Sequence, residues 1–250
     1  MALQEEFEKR GNWLFRYRGI LPVFILIVGM ALYLRGKLYP ETYFLEGTRF
    51  DQYYPYLCFL VSLMGLFVRI YTMGRTPKNT SGGNVKKQVA GKLNTTGSYS
   101  MVRHPLYVGN FFMWLGPTLL TAHPWFIIIF CLIYWLYYER IMFAEEQFLR
   151  NKFGKSYLDW AESVPAFLPH FTGFKKPDLP FSWKKVLKKE KNVVVALFLV
   201  FTIFDLAGEL VSGTYRFNYF FSGGLAVSVL AYGFIKLLKN RTQVLDDPGR

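Results

Sequence analysis

Residues 106–138 read LYVGNFFMWLGPTLLTAHPWFIIIFCLIYWLYY, a run without a single Asp, Glu, Lys or Arg. As one helix it would extend roughly 50 Å, far more than a hydrocarbon core of about 30 Å. The run must therefore fold back on itself. The break belongs at His123-Pro124, because a residue before proline disfavours the helical region and an internal proline disrupts the hydrogen-bond ladder. His123 thus reads as turn punctuation, and the run as two membrane helices joined in a hairpin, Leu106 to Ala122 and Pro124 to Phe143.

Working outward, four more apolar blocks are long enough to span a bilayer: Gly19 to Leu34, Tyr53 to Met73, Val193 to Ser212 and Phe217 to Leu238. The expected fold is all-α, a polytopic integral membrane protein of about six transmembrane helices with a short central hairpin (spans 3 and 4). The composition agrees, since 52% hydrophobic and 19% aromatic residues in a chain of 250 exceed the needs of an ordinary soluble core. Cys58 and Cys131 fall inside apolar blocks and read as packing residues, which argues against a disulfide framework, and no metal is expected. The N-terminus, with Glu5, Glu6 and Glu8, lacks the basic start of a cleaved signal, so the first block reads as a retained anchor.

Charge clusters between the blocks. The 30 Lys and Arg against 17 Asp and Glu would suit nucleic acid or an anionic lipid surface, and their placement beside apolar blocks favours lipid and excludes nucleic acid. The stretch from Gly74 to His104 carries Arg75, Lys78, Lys86, Lys87, Lys92 and Arg103 without an acid, and Glu139 to Asn192 is also rich in basic residues. The positive-inside rule places both in the cytoplasm together with both termini. If the source is bacterial, the inner membrane is the expected location. Four regions follow: 1–73, a two-helix anchor; 74–174, the core; 175–191, a basic interfacial linker; and 192–250, a second two-helix hairpin and tail. The linker holds Phe181 and Trp183 among seven lysines, a pattern that suits either lying on anionic headgroups or a solvated basic connection. Glu190 reads there as a solvated acid whose replacement by Gln changes almost nothing.

Two polar segments flank the central hairpin on the cytoplasmic side. The first runs from Gly97 to Gly109, GSYSMVRHPLYVG, and the second from Glu145-Glu146 through Phe153-Gly154, Tyr157 and Trp160 to Val164-Pro165. Since the hairpin goes out and returns, His104 and Glu145 can meet at one membrane depth. Read alone, Arg103 and His104 could mark the start of a membrane helix, and Glu145 and Glu146 a solvated face pairing with Arg150.

The ordered set Gly97, Tyr99, Arg103, His104, Pro105, Tyr107, Glu145, Glu146, Phe153, Gly154, Tyr157, Val164 and Pro165 resembles the isoprenylcysteine carboxyl methyltransferases and related phospholipid methyltransferases. The resemblance implies S-adenosylmethionine as cofactor, bound by Leu93, Asn94, Tyr99, His104, Pro105, Leu106, Tyr107, Glu145 and Glu146. His104 and backbone N–H groups around Leu93 and Asn94 would serve the donor's carboxylate, Glu145 its cationic groups, and Tyr99, Leu106 and Tyr107 the adenine. The catalytic candidates are Arg103 and Arg140. The carboxyl methyltransferases place an arginine four positions before the glutamate matching Glu145, where this chain has Ile141, with Arg140 one earlier.

The implied activity is methyl transfer to a membrane-embedded lipid or lipidated acceptor, whether a carboxylate, a phosphate or a headgroup amine. Two other classes remain: a nicotinamide-dependent membrane sterol-type reductase, which Glu145-Glu146 argues against by repelling pyrophosphate, and a non-catalytic lipid transporter or scaffold, which would concentrate polar residues at midplane. No glycine-rich strand-to-helix fingerprint of a soluble methyltransferase occurs. Asp205 and Glu209, an i, i+4 acidic pair in the fifth block, read as structural acids at the far interface, within reach of Arg216.

Overall fold

A computed structural model describes residues 2–42, 48–78, 88–247 and 249. Among these residues all regular structure is helical: α1 Leu3–Arg16, α2 Ile20–Leu38, α3 Tyr54–Met73, α4 Pro105–Leu120, α5 Pro124–Phe153, α6 Lys155–Ser163, α7 Trp183–Ser212 and α8 Tyr219–Arg241, with short 3-10 turns between them. Five helices, α2, α3, α5, α7 and α8, are long and apolar enough to cross a membrane. Many of their large apolar side chains face outward, among them Phe24, Ile27, Leu60, Phe67, Leu132, Leu199 and Phe234. A soluble monomer does not expose apolar surface on this scale, and a lipid-facing one must. The chain is a polytopic, all-α membrane protein.

The sixth expected span is α4, which has 16 residues and a length of roughly 24 Å. The hairpin is as the sequence dictates: α4 stops at Leu120, three residues turn, and α5 starts on Pro124. Proline is suited to that first helical position, where its missing N–H has no partner to lose. Small residues hold α3 and α4 together. A Cβ added at Gly65 would run into the Gly109 carbonyl oxygen, and one at Gly116 into Ser62 and the Cys58 carbonyl. With lipid on both sides, close backbone approach of this kind replaces the hydrophobic effect as the force between helices.

Two helices overrun the membrane. At 30 residues each, α5 and α7 are roughly 45 Å long, so each carries charge well past the hydrocarbon edge. α5 brings Glu145 and Glu146 out on its last turns. α7 begins at Trp183, inside the stretch read from sequence as a linker, capped by the Ser182 hydroxyl accepting from the Lys185 N–H. At its other end α7 stops on left-handed Gly213, and Asp205 and Glu209 accept from the backbone N–H groups of Asn218 and Arg216. These acids cap a loop, the structural role expected of them, although through the Arg216 backbone.

The apolar interior forms two large clusters. One joins α1, α2, α4 and α5 around Phe15, Phe126, Phe130, Tyr134 and Tyr138, and the other joins α3, α4, α7 and α8 around Phe59, Leu66, Phe201 and Phe221. Cys58 is buried in the second, Cys131 half-buried beside the first, and both are free thiols. The N-terminal helix α1, which the acidic opening did not suggest, lies along α5. Gly11 lets it touch the Arg140 carbonyl, and the Tyr137 hydroxyl donates to the Leu14 and Tyr17 carbonyls.

Candidate functional site

One end of the bundle opens into a cavity of about 510 Å³, lined from the first turns of α4 and α7, the last turns of α3, α5 and α8, and the α1–α2 junction at Phe15 and Arg18. Lys86 and Lys87 of the basic loop lie outside the described residues. Its volume falls in the range of small-molecule sites.

The two motif segments build the floor by clasping each other. Arg103 and His104 donate their backbone N–H groups to the Pro165 and Ala166 carbonyls at 2.8 and 3.2 Å, and His170 N–H donates to Met101 at 2.9 Å. Gly97 N–H reaches the Lys175 carbonyl at 2.9 Å, and the Trp160 indole N–H donates to the Tyr99 carbonyl at 3.2 Å. Gly97 sits at φ +64, where a side chain would be strained. Under this clasp Tyr157, Trp160 and Val164 pack against Leu93, Tyr99 and Phe153. The Val-Pro segment is therefore a brace for the Arg-His-Pro turn.

On that floor His104 stands between the two glutamates. Its Nε2 is 3.0 Å from Glu146 Oε1 and its Nδ1 is 3.5 Å from Glu145 Oε2. Burial alone would push the imidazole pKa down, but the hydrogen bonds and charges of Glu145 and Glu146 outweigh it and hold the group above its ordinary 6.5. Arg103 Nη1 donates to the other Glu146 oxygen at 2.7 Å, and the Tyr107 hydroxyl donates to Glu145 at 2.9 Å. Burial, then the charge of Glu145, pushes the Tyr99 hydroxyl pKa up, so it stays a protonated donor. The Tyr157 hydroxyl shifts the same way through burial and then Glu146.

The structure thus brings together nine of the eleven expected site residues on the cavity wall: Leu93, Asn94, Tyr99, Arg103, His104, Pro105, Leu106, Tyr107 and Glu145. Two are elsewhere. Glu146 lies behind His104 and Arg103 and holds them from outside the cavity, while Arg140 turns toward α1, its guanidinium 3.4 Å from the Phe7 ring centre. His104 lines the cavity, yet both ring nitrogens already face carboxylates.

Charge distribution is the cavity's other property. Among the described residues nine basic side chains line it, from Arg18, Arg69, Lys78, Lys92, Arg103, Lys185, Lys188, Lys189 and Lys239, against the single acid Glu145. Sequence reasoning missed Arg18 and Arg69. A usable signal existed for Arg69, a charge inside an otherwise apolar span, which marks a functional position by default. Arg69 Nε and Nη2 donate to the two oxygens of Glu190, both at 2.9 Å, and Nη1 to Asn110 Oδ1 at 2.5 Å. Glu190, expected to be a solvated linker acid, is 2% exposed. The helix starts before the apolar run does, which turns Glu190 inward against α3.

Residues 52–156 match the family described as phospholipid methyltransferase. The chain is similar to the protein-S-isoprenylcysteine O-methyltransferase of Tribolium castaneum, 28% identical over 145 residues, covering 56% of this chain and 50% of that one. To the enzyme of that name from Xenopus laevis it is 30% identical over 123 residues, covering 46% and 43%, and to form B from Arabidopsis thaliana 34% over 86 residues, covering 34% and 43%. The chain spans about half the length of the curated relatives it matches. No solved structure matches it.

Proposed function

We propose, from the match of residues 52–156 to the phospholipid methyltransferase family, that this chain is an S-adenosylmethionine-dependent methyltransferase acting on a lipid or lipidated acceptor at the cytoplasmic membrane face. The observation that carries the reading is the cavity in which Glu145, set by His104 and Tyr107, is the sole acid of the described lining among aromatic walls and cationic neighbours.

The donor set fits the cofactor. S-adenosylmethionine brings cationic groups, a carboxylate and an adenine; Glu145 would take the first, Asn94 and the basic side chains around it the second, and Tyr99, Leu106 and Tyr107 the third. When bound it supplies a sulfonium methyl group: the acceptor atom bonds to the methyl carbon as the carbon–sulfur bond breaks, and the bonding pair stays on sulfur. A carboxylate or phosphate acceptor needs no general base for this, so the protein's part is to position two ligands and keep water out. His104 and Tyr107 hold the Glu145 carboxylate in place, and Glu146 with Arg103 fixes His104 in turn. Tyr99, half-buried on the cavity wall, would donate from its hydroxyl without carrying charge.

Six crossings and cytoplasmic termini are part of the proposal. The ends of α3, α4, α5, α7 and α8 and the Arg18 turn that leads into α2 border the same cavity, as an up-and-down bundle of six requires. The basic residues gathered there support the cytoplasmic assignment by the positive-inside rule, and would also attract anionic lipid. The core 74–174 would carry the chemistry and the helices on either side would carry the lipid-facing wall.

A second reading has one observation in its favour. The nine basic side chains would accept a pyrophosphate as readily as a carboxylate, and Glu146 is not on the wall to repel it. That keeps a nicotinamide-dependent reduction as the alternative. Mass spectrometry of lipid extracts from cells with and without the protein separates the two. A gain of one methyl mass on a lipid or lipidated species is the expected result, and a gain of two hydrogens would favour the reductase.

A further inference from the structure

Of the cations around the cavity, most are long lysine stems at its mouth, and three of the others are committed elsewhere. Arg103 is held by Glu146, Lys185 donates to the Thr76 and Pro77 carbonyls and the Thr76 hydroxyl, and Arg18 lies over the Phe15 ring. Arg69 differs. Its guanidinium is fixed in one plane by a bidentate pair with Glu190 and a third hydrogen bond to Asn110, and its side chain is 17% exposed on a cavity that Asn110 also lines. A guanidinium has five N–H donors, and these partners take three. Two remain for a ligand.

We propose that Arg69 is the group that orients the anionic oxygen of the acceptor, with Glu190 as its positioning residue. This rests on the methyltransferase reading of the cavity. Glu190 does more than hold the plane. An uncompensated guanidinium would bind an anionic nucleophile tightly and draw off the charge that makes it reactive. A guanidinium paired with a buried carboxylate offers two directed hydrogen bonds with little net field, so it can aim the oxygen while leaving its electron pair available. Arg69 belongs to the family-matched stretch, but Glu190 comes from α7, outside it. The C-terminal helix pair therefore completes the acceptor half of the site as well as widening the membrane body. The chemistry recognised is an anionic oxygen, whether of a carboxylate or a phosphate, and not a headgroup amine.

The test uses the full-length protein in detergent. Calorimetry compares an isoprenylated cysteine with its carboxamide, and phosphatidic acid with diacylglycerol, so that each anion faces a neutral twin. The expected result is a preference of about tenfold or more for the anion in one pair, which identifies the source, and its collapse to about one in Arg69→Met. In turnover assays with the preferred anion, Glu190→Gln should leave KM for the acceptor unchanged or lower while kcat falls, with Glu190→Asp recovering kcat. A purely structural pair predicts instead that kcat and thermal stability fall together and that the charge-swapped double variant Arg69→Glu, Glu190→Arg regains activity. No anion preference in the wild-type protein, or methylation of a headgroup nitrogen, would overturn the inference and leave the methyltransferase reading standing. Failure to bind S-adenosylmethionine would instead remove that reading.

Discussion

Replacing Glu145 by Gln removes the one acid among the described residues that line the cavity while keeping its shape. In the native site the carboxylate receives the Tyr107 hydroxyl at 2.9 Å and faces His104 Nδ1 at 3.5 Å, and about a quarter of its side chain is open toward the ligand space. The amide can still accept from Tyr107. What it cannot do is complement the cationic groups of the donor, surrounded as they would be by nine basic side chains with no other acid among the described lining residues. A charge-assisted hydrogen bond in a partly buried site contributes about 1.5 to 3 kcal/mol, so affinity for S-adenosylmethionine should drop roughly tenfold to a hundredfold. His104→Ala frees the same carboxylate from its holder and should weaken binding comparably. The double variant should lose less than the sum, because the two changes act on one carboxylate. Isothermal titration of protein that keeps its native melting transition in detergent is the assay. Unchanged affinity in folded Glu145→Gln protein would refute the reasoning.

Further expectations concern pH, packing and orientation. The His104 pKa lies above 6.5 in the folded state, so the imidazolium's grip on Glu145 and Glu146 is complete below about pH 6.5 and is lost as pH rises through the folded value. Melting temperature should fall on that rise, and His104→Ala should flatten the difference. Gly65→Leu forces α3 off the Gly109 backbone and should cost about 1 to 3 kcal/mol or more, read as a lower melting temperature with loss of ligand binding. Single cysteines at exposed Lys176 and Arg216 should label from opposite sides of the membrane, Lys176 from the cytoplasm. Labelling of both from one side would remove the six-crossing topology.

The sequence made the hairpin legible because its two strongest signals are local: an uncharged run too long for one crossing, and a proline where it must break. The meeting of His104 with Glu145 followed from that hairpin alone. What sequence reading missed is where helices leave the membrane. Hydropathy registers the apolar part of α7 from Val193 onward and is silent about the turns from Trp183, so Glu190 looked solvated when it is buried against Arg69. The same blindness hid α1, whose amphipathic face packs on α5 and occupies Arg140, one of the two catalytic candidates. Arg18 and Arg69 come from segments remote from both motifs, and the packing of α1 on α5 and of α3 and α7 on α4 brings them to one wall.

The central claim is that this cavity takes a sulfonium methyl donor. The most direct test titrates the purified protein with S-adenosylmethionine and, separately, with reduced nicotinamide dinucleotide phosphate. Saturable one-to-one binding of the first, weakened in Glu145→Gln, with no heat from the second is the predicted result. Binding of the nicotinamide nucleotide alone would contradict it.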